Sequence, residues 1–319
     1  MKKLIAALAC AVLPGLASAQ AWPDKPVRLV IPFPAGGGAD ILGRNVGAKL
    51  QERLKQPVVI ENTPGAGGIV GTQKVATSAA DGYTFVMGIT NTFAINRTFY
   101  EKMPYDPIKD FVGVALLAVS PHILVVHPDT PGRTLPEYVD YVKANKGKLS
   151  YASYGNGSTT HLISEMFNEF YRVDLVHVPY KGMPPALTDV MGQRISMLIS
   201  SSAPAIPLVQ GRKLKALAIY GPSRIDALPD VPTTAELGMK DAALTLWYGL
   251  FAPAGTPRAI VERMNAEVKA IVADKEVLES LSKAALFPQP MGVDEFNAWV
   301  NAEGTRWGQL VKLSGAKAE

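Results

Sequence analysis

The sequence is nearly free of cysteine, since Cys10 is the only one in 319 residues. Cys10 lies in an apolar run, Leu4 to Leu13, which follows two lysines and precedes Ala17-Ser18-Ala19. This order is typical of a secretory signal peptide, and we predict cleavage after Ala19, which removes residues 1–19. The remaining chain has no cysteine, which excludes disulfides, thiolate metal ligands and a cysteine nucleophile.

A strong charge of either sign is also absent. The formal net charge of +4 falls to +2 once Lys2 and Lys3 are removed, and the other basic residues are scattered singly. This pattern argues against a nucleic-acid partner and against a polybasic membrane surface. Pro, Gly or a charged residue interrupts every later apolar stretch before the roughly 20 residues that a membrane span needs. We therefore expect a soluble protein in the periplasm.

Catalytic and cofactor motifs are missing as well. The histidines at positions 122, 127, 161 and 177 lack metal-ligand spacing, and no HExxH, GxSxG or Walker A motif occurs. The cluster from Gly65 to Gly71 has the spacing GxGxxxG, which departs from the GxGxxG fingerprint of dinucleotide sites. We interpret it as a tight turn that lines a cleft wall, and we predict neither a metal nor a cofactor.

Short β-rich runs alternate with amphipathic helical stretches. The predicted strands of a first series are 27–31, 58–60 and 83–89, with helices at 39–54 and 69–79; a second series has strands at 149–153, 176–180, 195–199 and 214–220. A βαβαβ order predicts a doubly wound sheet, and chains of about 300 residues usually divide into two domains. We predict a two-lobed α/β fold, in which a mixed sheet flanked by helices forms each lobe.

The predicted lobes are joined by two crossings. Residues 20–121 and 249–319 are assigned to lobe 1, and residues 122–248 to lobe 2. Two crossings leave a hinge, and a hinge between two α/β lobes allows closure over a ligand in the cleft.

A glycine loop from Pro32 to Asp40 connects the first predicted strand to the first helix. Convergent backbone N–H groups and the positive end of a helix together form an anion site that needs no cationic side chain. Asp40 either caps the helix and orders the loop, which we favour, or contacts a ligand. The candidate ligand-binding residues here are Phe33, Ala35, Gly36, Gly37, Gly38 and Asp40.

A second loop, from Ser153 to His161, has the same position in the second series. Ligands of doubly wound sheets lie beyond the carboxyl ends of the strands, so we expect the two loops to face each other and to hold a carboxylate. His161 is either a structural residue at the helix start or a ligand contact. The candidates in this loop are Ser153, Gly155, Asn156, Gly157, Ser158, Thr159 and His161.

Other candidate residues end strands that point the same way. Thr90, Asn91, Tyr180 and Ser201 are expected to line the distal part of the pocket. We further expect that a β-branched residue at Gly37 or Gly157 abolishes binding while the fold stays largely intact.

In these residues the sequence resembles the Bug-type substrate-binding proteins of tripartite tricarboxylate transporters. The motifs that carry the resemblance are Trp22-Pro23, Phe33-Pro34-Ala35-Gly36-Gly37-Gly38-Ala39-Asp40, Glu61-Asn62, Asp81-Gly82-Tyr83, Val178-Pro179-Tyr180-Lys181-Gly182 and Trp247-Tyr248-Gly249-Leu250 with Pro253-Ala254-Gly255-Thr256-Pro257. They span nearly the whole chain after the signal peptide. The resemblance implies a type II periplasmic-binding-protein fold, no enzymatic activity and a carboxylate held by the two glycine loops.

The resemblance also implies a partner. Members of the family deliver their ligand to a membrane transporter with a large and a small subunit, and their ligands include citrate and other di- and tricarboxylates, aromatic acids, amino acids and nicotinate. The scarcity of Arg and Lys near the inferred cleft favours one or two carboxylates, and we expect a monomer.

Two other functions fit parts of the sequence. An exported serine hydrolase would use Ser158 and His161, and a sensor domain would present its bound ligand to a membrane kinase. The sensor would share the fold of a transport receptor, so the sequence does not separate these two.

Overall fold

The computed structural model describes residues 22–239 and 244–314. The predicted signal peptide, residues 1–19, lies outside the described residues. Within them, no helix combines the length and the apolar character that crossing a bilayer requires.

Two five-stranded sheets organise the described chain. The first has the order β2-β1-β3-β10-β4, with β1 at Val27–Ile31, β2 at Val58–Asn62, β3 at Thr84–Ile89, β4 at Phe111–Ser120 and β10 at Leu246–Pro253. Strand β1 is parallel to β2 and β3, whereas β10 is antiparallel to β3 and β4. The carboxyl ends of β1, β2 and β3 therefore meet at one edge of the sheet.

The second sheet repeats this arrangement. Its order is β7-β6-β8-β5-β9, with β5 at His122–Val126, β6 at Ser150–Ser153, β7 at Val176–Pro179, β8 at Met197–Ser201 and β9 at Lys215–Tyr220. Strand β6 is parallel to β7 and β8, and β5 is antiparallel to β8 and β9. The predicted α/β fold with two mixed sheets is confirmed.

Helices pack on these sheets. They are α1 Gly38–Leu54, α2 Ile69–Ala76, α3 Asn96–Phe99, α4 Leu135–Ala144, α5 Thr159–Tyr171, α6 Met183–Met191, α7 Ser202–Gln210, α8 Arg258–Val272, α9 Lys275–Lys283 and α10 Val293–Ser314. A π-helical turn, Asn91–Ile95, precedes α3. Helix α10 buries Phe296 and Trp307 and contacts β4, the π-helical turn and α5, so it packs against elements of both halves.

The chain passes between the sheets on either side of Pro121, because β4 ends at Ser120 in the first sheet and β5 begins at His122 in the second. It is back in the first sheet by Leu246, ahead of the predicted crossing at Gly249, because β10 pairs with β4 from Leu246 onward. The strand-end loops of the two sheets face each other, and the space between them is the cleft.

Candidate functional site

A small cavity of about 30 Å³ lies between the two sheets. It is lined by Phe33, Pro34, Gly37, Gly38, Ala39, Ile89, Tyr154, Met183, Ser201, Leu246 and Tyr248. We call it the deep cavity. None of these lining residues carries a charged side chain, so they can hold an anion only through backbone dipoles and neutral hydroxyl groups.

A wider outer cleft adjoins the deep cavity and shares Phe33, Pro34 and Tyr154 with it. The turn at Gly65–Gly68 forms one wall, and Gly155, Asn156, Tyr180 and Lys181 lie on the other side. The predicted role of this glycine cluster as a cleft wall agrees with that position.

Asp40 orders the first glycine loop. Its carboxylate accepts hydrogen bonds from the Gly36 N–H at 2.9 Å and from the Asn62 side chain at 3.0 Å, and it pairs with Arg44 at 3.0 Å. Burial alone would raise the pKa of Asp40, but the bonds from Arg44, Gly36 and Asn62 together hold that pKa below its ordinary value. With its oxygens engaged in this way, Asp40 positions the loop.

The N-terminus of α1 faces the deep cavity without a cap. Gly37 is the N-cap residue, and no side chain accepts a hydrogen bond from the first turn. The first N–H groups of a helix have no intrahelical partner, so those of Gly38 and Ala39 are available to an anion. Gly37, Gly38 and Ala39 all line the deep cavity.

The second glycine loop uses most of its N–H groups within the protein. The Gly157 N–H donates to His161 Nδ1 at 3.1 Å, that of Gly155 to Ser153 Oγ at 3.2 Å, and that of Thr159 to Asn91 Oδ1 at 3.3 Å. Ser158 caps α5 by accepting from the His161 N–H at 3.1 Å. Of the two loops, the first therefore offers the better anion site.

His161 belongs to a buried stack of rings. Its ring lies 4.0 Å from that of His177, which stacks on Tyr151 at 4.9 Å, and His177 Nε2 is 2.7 Å from Ser153 Oγ. Burial lowers the pKa of His177 to about 4, so this ring is neutral at pH 7. These contacts give Ser153, Ser158 and His161 roles in shaping the loop.

Asn91 joins the two halves at the base of the cleft. Its Oδ1 accepts from the Tyr154 hydroxyl at 2.6 Å and from the Thr159 N–H, and its Nδ2 donates to the Gly157 carbonyl at 3.4 Å. Asn91 is fully buried. We call these contacts the interlobe network.

His122 extends the interlobe network. Its Nδ1 lies 3.0 Å from the Leu244 carbonyl and its Nε2 lies 2.9 Å from Thr159 Oγ1. Burial lowers the pKa of His122 to about 4, although the bond to Leu244 opposes this, so the ring is neutral at pH 7. A neutral ring facing a carbonyl carries its proton on Nδ1 and leaves Nε2 to accept from Thr159.

The predicted site residues thus fall into three groups. Phe33, Gly37, Gly38 and Ser201 line the deep cavity, and Gly155, Asn156 and Tyr180 line the outer cleft. Ala35 is exposed and lines neither space. The rest shape the loops or connect the halves around these spaces: Gly36, Asp40, Thr90, Asn91, Ser153, Gly157, Ser158, Thr159 and His161.

Seven residues that line the deep cavity are not among the predicted ligand-binding residues: Pro34, Ala39, Ile89, Tyr154, Met183, Leu246 and Tyr248. Signals for four of them were present, because Pro34 and Ala39 lie in the first glycine loop, Tyr154 lies in the second, and Tyr248 belongs to an aromatic strand expected to reach the distal end of a ligand. Nothing local marks Ile89, Met183 or Leu246, which reach the cavity only through the packing of distant elements.

One expectation about glycine needs correction. Gly157 has φ +68°, and a Cβ there would collide with the Phe99 ring. A β-branched residue at this position therefore strains the backbone and displaces the Phe99 ring, so a loss of binding there would also report a disturbed loop. At Gly37 the nearest atom to an added Cβ is the Pro34 carbonyl oxygen at 3.6 Å, so that position has room.

Residues 42–316 match the TctC family, described as the tripartite tricarboxylate transporter family receptor. The solved structure of the periplasmic binding protein BugD superposes with a TM-score of 0.89 at 30% identity, over 93% of this chain and 100% of BugD. Rpa4515 of R. palustris with adipate gives 0.90 at 33% identity, over 93% and 99% of the two chains. MatC of Rhodopseudomonas palustris with bound malate gives 0.86 at 33% identity, over 91% and 100%.

Two facing α/β halves and a cleft lined by strand-end loops define a periplasmic solute-binding protein, as the agreement with BugD shows. The chain belongs to the tripartite tricarboxylate transporter receptor family. The predicted resemblance to Bug-type proteins is confirmed. Members of this family bind small carboxylates, work with membrane transporters and catalyse no reaction, so the hydrolase alternative is wrong.

Proposed function

We propose that this protein captures a small carboxylate in the cleft between its halves, with the carboxylate group in the deep cavity, and delivers it to a transporter made of a large and a small membrane subunit. In this proposal the chain is exported with a signal peptide that is cleaved after Ala19, and it acts as a monomer. The ligand class is a mono- or dicarboxylate, an aromatic acid or an amino acid. The two related structures that hold adipate and malate support this class.

The observation that carries the proposal is the uncapped N-terminus of α1 at the wall of the deep cavity. A helix N-terminus without a side-chain cap favours a negative charge, which a ligand carboxylate supplies. The deep cavity lies between the two halves, so a ligand there touches both and stabilises the closed arrangement.

Thermal unfolding tests the binding step. The exported protein is unfolded and refolded to remove carried ligand, then heated with mono-, di- and tricarboxylates and amino acids. A ligand at one hundred times its dissociation constant raises the free energy of unfolding by about 2.7 kcal/mol. The midpoint then rises by several degrees, at roughly 2–4 °C per kcal/mol. No shift with any acid would contradict the proposed ligand class.

Uptake tests the delivery step. A strain that lacks this gene should lose uptake of the acid that stabilises the protein, and a plasmid copy should restore it. If the protein were instead a sensor for a membrane kinase, the deletion would affect uptake only through expression of the transporter. In that case a deletion strain that expresses the transporter constitutively would take up the acid normally.

A further inference from the structure

The outer cleft has one charged residue among those that line it, Lys181. The other lining residues are prolines, glycines, tyrosines, one alanine, Phe33 and Asn156. None of the residues that line the outer cleft or the deep cavity is acidic. The lining residues of the two spaces therefore present a single formal charge, and it is positive.

The ammonium group of Lys181 is available to a ligand. Lys181 is exposed, and it makes no ion pair with any residue that the structure describes. Asp189 on α6 is already engaged, because it accepts a hydrogen bond from the Tyr180 hydroxyl at 2.6 Å and pairs with Arg194 at 2.8 Å. A cation without a protein partner at the wall of a cleft attracts an anion that enters the cleft.

The backbone is held in place on both sides of Lys181. Before it, the Tyr180 N–H donates to the Ser153 carbonyl at 2.9 Å. After it, Gly182 has φ +132°, and a Cβ there would collide with the Pro34 ring, so this segment touches the first glycine loop. Lys181 therefore lies where the second half meets the first, and only its side chain has to move to reach a ligand.

The deep cavity and the outer cleft adjoin, because Phe33, Pro34 and Tyr154 line both. The deep cavity, at about 30 Å³, has room for little more than a carboxylate group, whereas the outer cleft has about 700 Å³. When a ligand places one carboxylate in the deep cavity, the rest of the molecule extends past Phe33 and Tyr154. Its far end then lies in the space that Lys181 lines.

We propose that Lys181 determines ligand specificity by pairing with a second carboxylate at the far end of the ligand. This inference rests on the proposed capture of a carboxylate, and it narrows the ligand class to dicarboxylates without an amino group. A monocarboxylate leaves Lys181 unpaired. The ammonium group of an amino acid meets no acidic side chain among the lining residues and is repelled by Lys181, since like charges at close range oppose binding.

Three variants test the role of Lys181. Lys181→Met keeps the apolar stem and removes the charge, whereas Lys181→Arg keeps the charge. Lys213→Met is the matched control, because Lys213 is also exposed in the second half, lines neither space and changes the net charge by the same amount. Any effect of net charge alone appears in both methionine variants.

The probes are matched in chain length. Succinate, glutarate and adipate are compared with butyrate, pentanoate and hexanoate, which lack the second carboxylate. Glutamate is compared with glutarate, to which it adds only an ammonium group, and benzoate represents the aromatic acids. Calorimetry at low ionic strength gives each dissociation constant for the wild-type protein and for the three variants.

We expect the wild-type protein to bind at least one diacid about fivefold or more tightly than its matched monoacid, and glutarate more tightly than glutamate, which corresponds to one partly exposed charge pair. Lys181→Met should remove the preference for the diacid and leave the affinity for the monoacid unchanged. Lys181→Arg and Lys213→Met should both retain the preference.

An unchanged diacid preference in Lys181→Met, or an equal loss for diacid and monoacid, would overturn the inference. Binding of a monoacid, benzoate or glutamate at least as tight as that of every diacid would also overturn it and would leave the proposed capture of a carboxylate intact. If the wild-type protein bound none of the probes, the inference and the proposed function would both fail.

Discussion

Replacing Asn91 with alanine removes the side chain that ties the two halves together at the base of the cleft. The variant leaves the Thr159 N–H and the Gly157 carbonyl without their partner, and the Tyr154 hydroxyl loses its 2.6 Å bond. Each buried polar group left unsatisfied costs about 1–3 kcal/mol. The Tyr154 hydroxyl keeps a contact to Thr159 Oγ1 at 2.8 Å, so two groups remain unsatisfied and we expect a total loss of about 2–6 kcal/mol.

Asn96 supplies a matched control for this change. It is also buried, and its amide makes no hydrogen bond of normal geometry with the described residues. Asn96→Ala leaves a cavity of the same size but breaks no bond between the halves. We expect it to cost at least about 2 kcal/mol less than Asn91→Ala, because it leaves no buried backbone group unsatisfied.

Thermal unfolding of both variants checks the difference. At roughly 2 °C per kcal/mol for a chain of this size, the midpoint of Asn91→Ala should lie about 4 °C below that of Asn96→Ala. Small-angle scattering should also give Asn91→Ala the larger radius of gyration, since its halves are less firmly joined. Equal midpoints and equal radii would refute the role of Asn91 in holding the cleft closed.

Three further predictions concern the glycine loops. Gly38→Ala places a methyl group against the Tyr248 hydroxyl, and this overpacking should cost about 1–3 kcal/mol of binding free energy. Calorimetry should therefore show acid binding weakened about 5- to 150-fold in Gly38→Ala and far less in Gly37→Ala. Gly157→Ala should lower the free energy of unfolding, measured by urea denaturation, by about 2–4 kcal/mol, because Gly157 has a φ of +68° and the added methyl group collides with Phe99. A loss under about 0.5 kcal/mol would argue against the described loop. The pKa of Asp40 is lower in the folded protein than in the unfolded chain, where it is about 4, so the Asp40 carboxylate stabilises the fold above about pH 4. This stabilisation is lost as the pH falls through the folded-state pKa, and the difference in thermal midpoint between wild type and Asp40→Asn should therefore shrink below about pH 4. A difference independent of pH would contradict this.

The strand pattern was predictable because it depends on short-range alternation. The predicted strand Val27–Ile31 matches β1, and the run at 58–60 is the start of β2, Val58–Asn62. Helix α7 was not predicted. Pro204 and Pro207 lie within Ser202–Gln210, and prolines argue against a helix in a sequence pattern. The surrounding core overrides that preference, and the buried Ala205 and Ile206 face it.

The site was predictable only in part. The first glycine loop could be recognised because an anion site at a helix N-terminus is a local feature of strand, loop and helix. The internal hydrogen bonds that occupy the N–H groups of the second loop could not be predicted, because the partner of the Thr159 N–H is Asn91, which lies far away in the chain. Likewise the position of the Tyr248 hydroxyl against the start of α1 becomes visible only once β10 is placed beside α1.

The most direct test of carboxylate binding in the cleft compares an acid with its own amide. The acid that gives the largest thermal shift and the primary amide of that acid are titrated calorimetrically into the refolded protein. The amide keeps the shape of the acid and lacks the negative charge that the N-terminus of α1 favours. We predict binding of the acid and at least about a tenfold weaker affinity for the amide. Equal affinities would contradict the assignment of the site to a carboxylate.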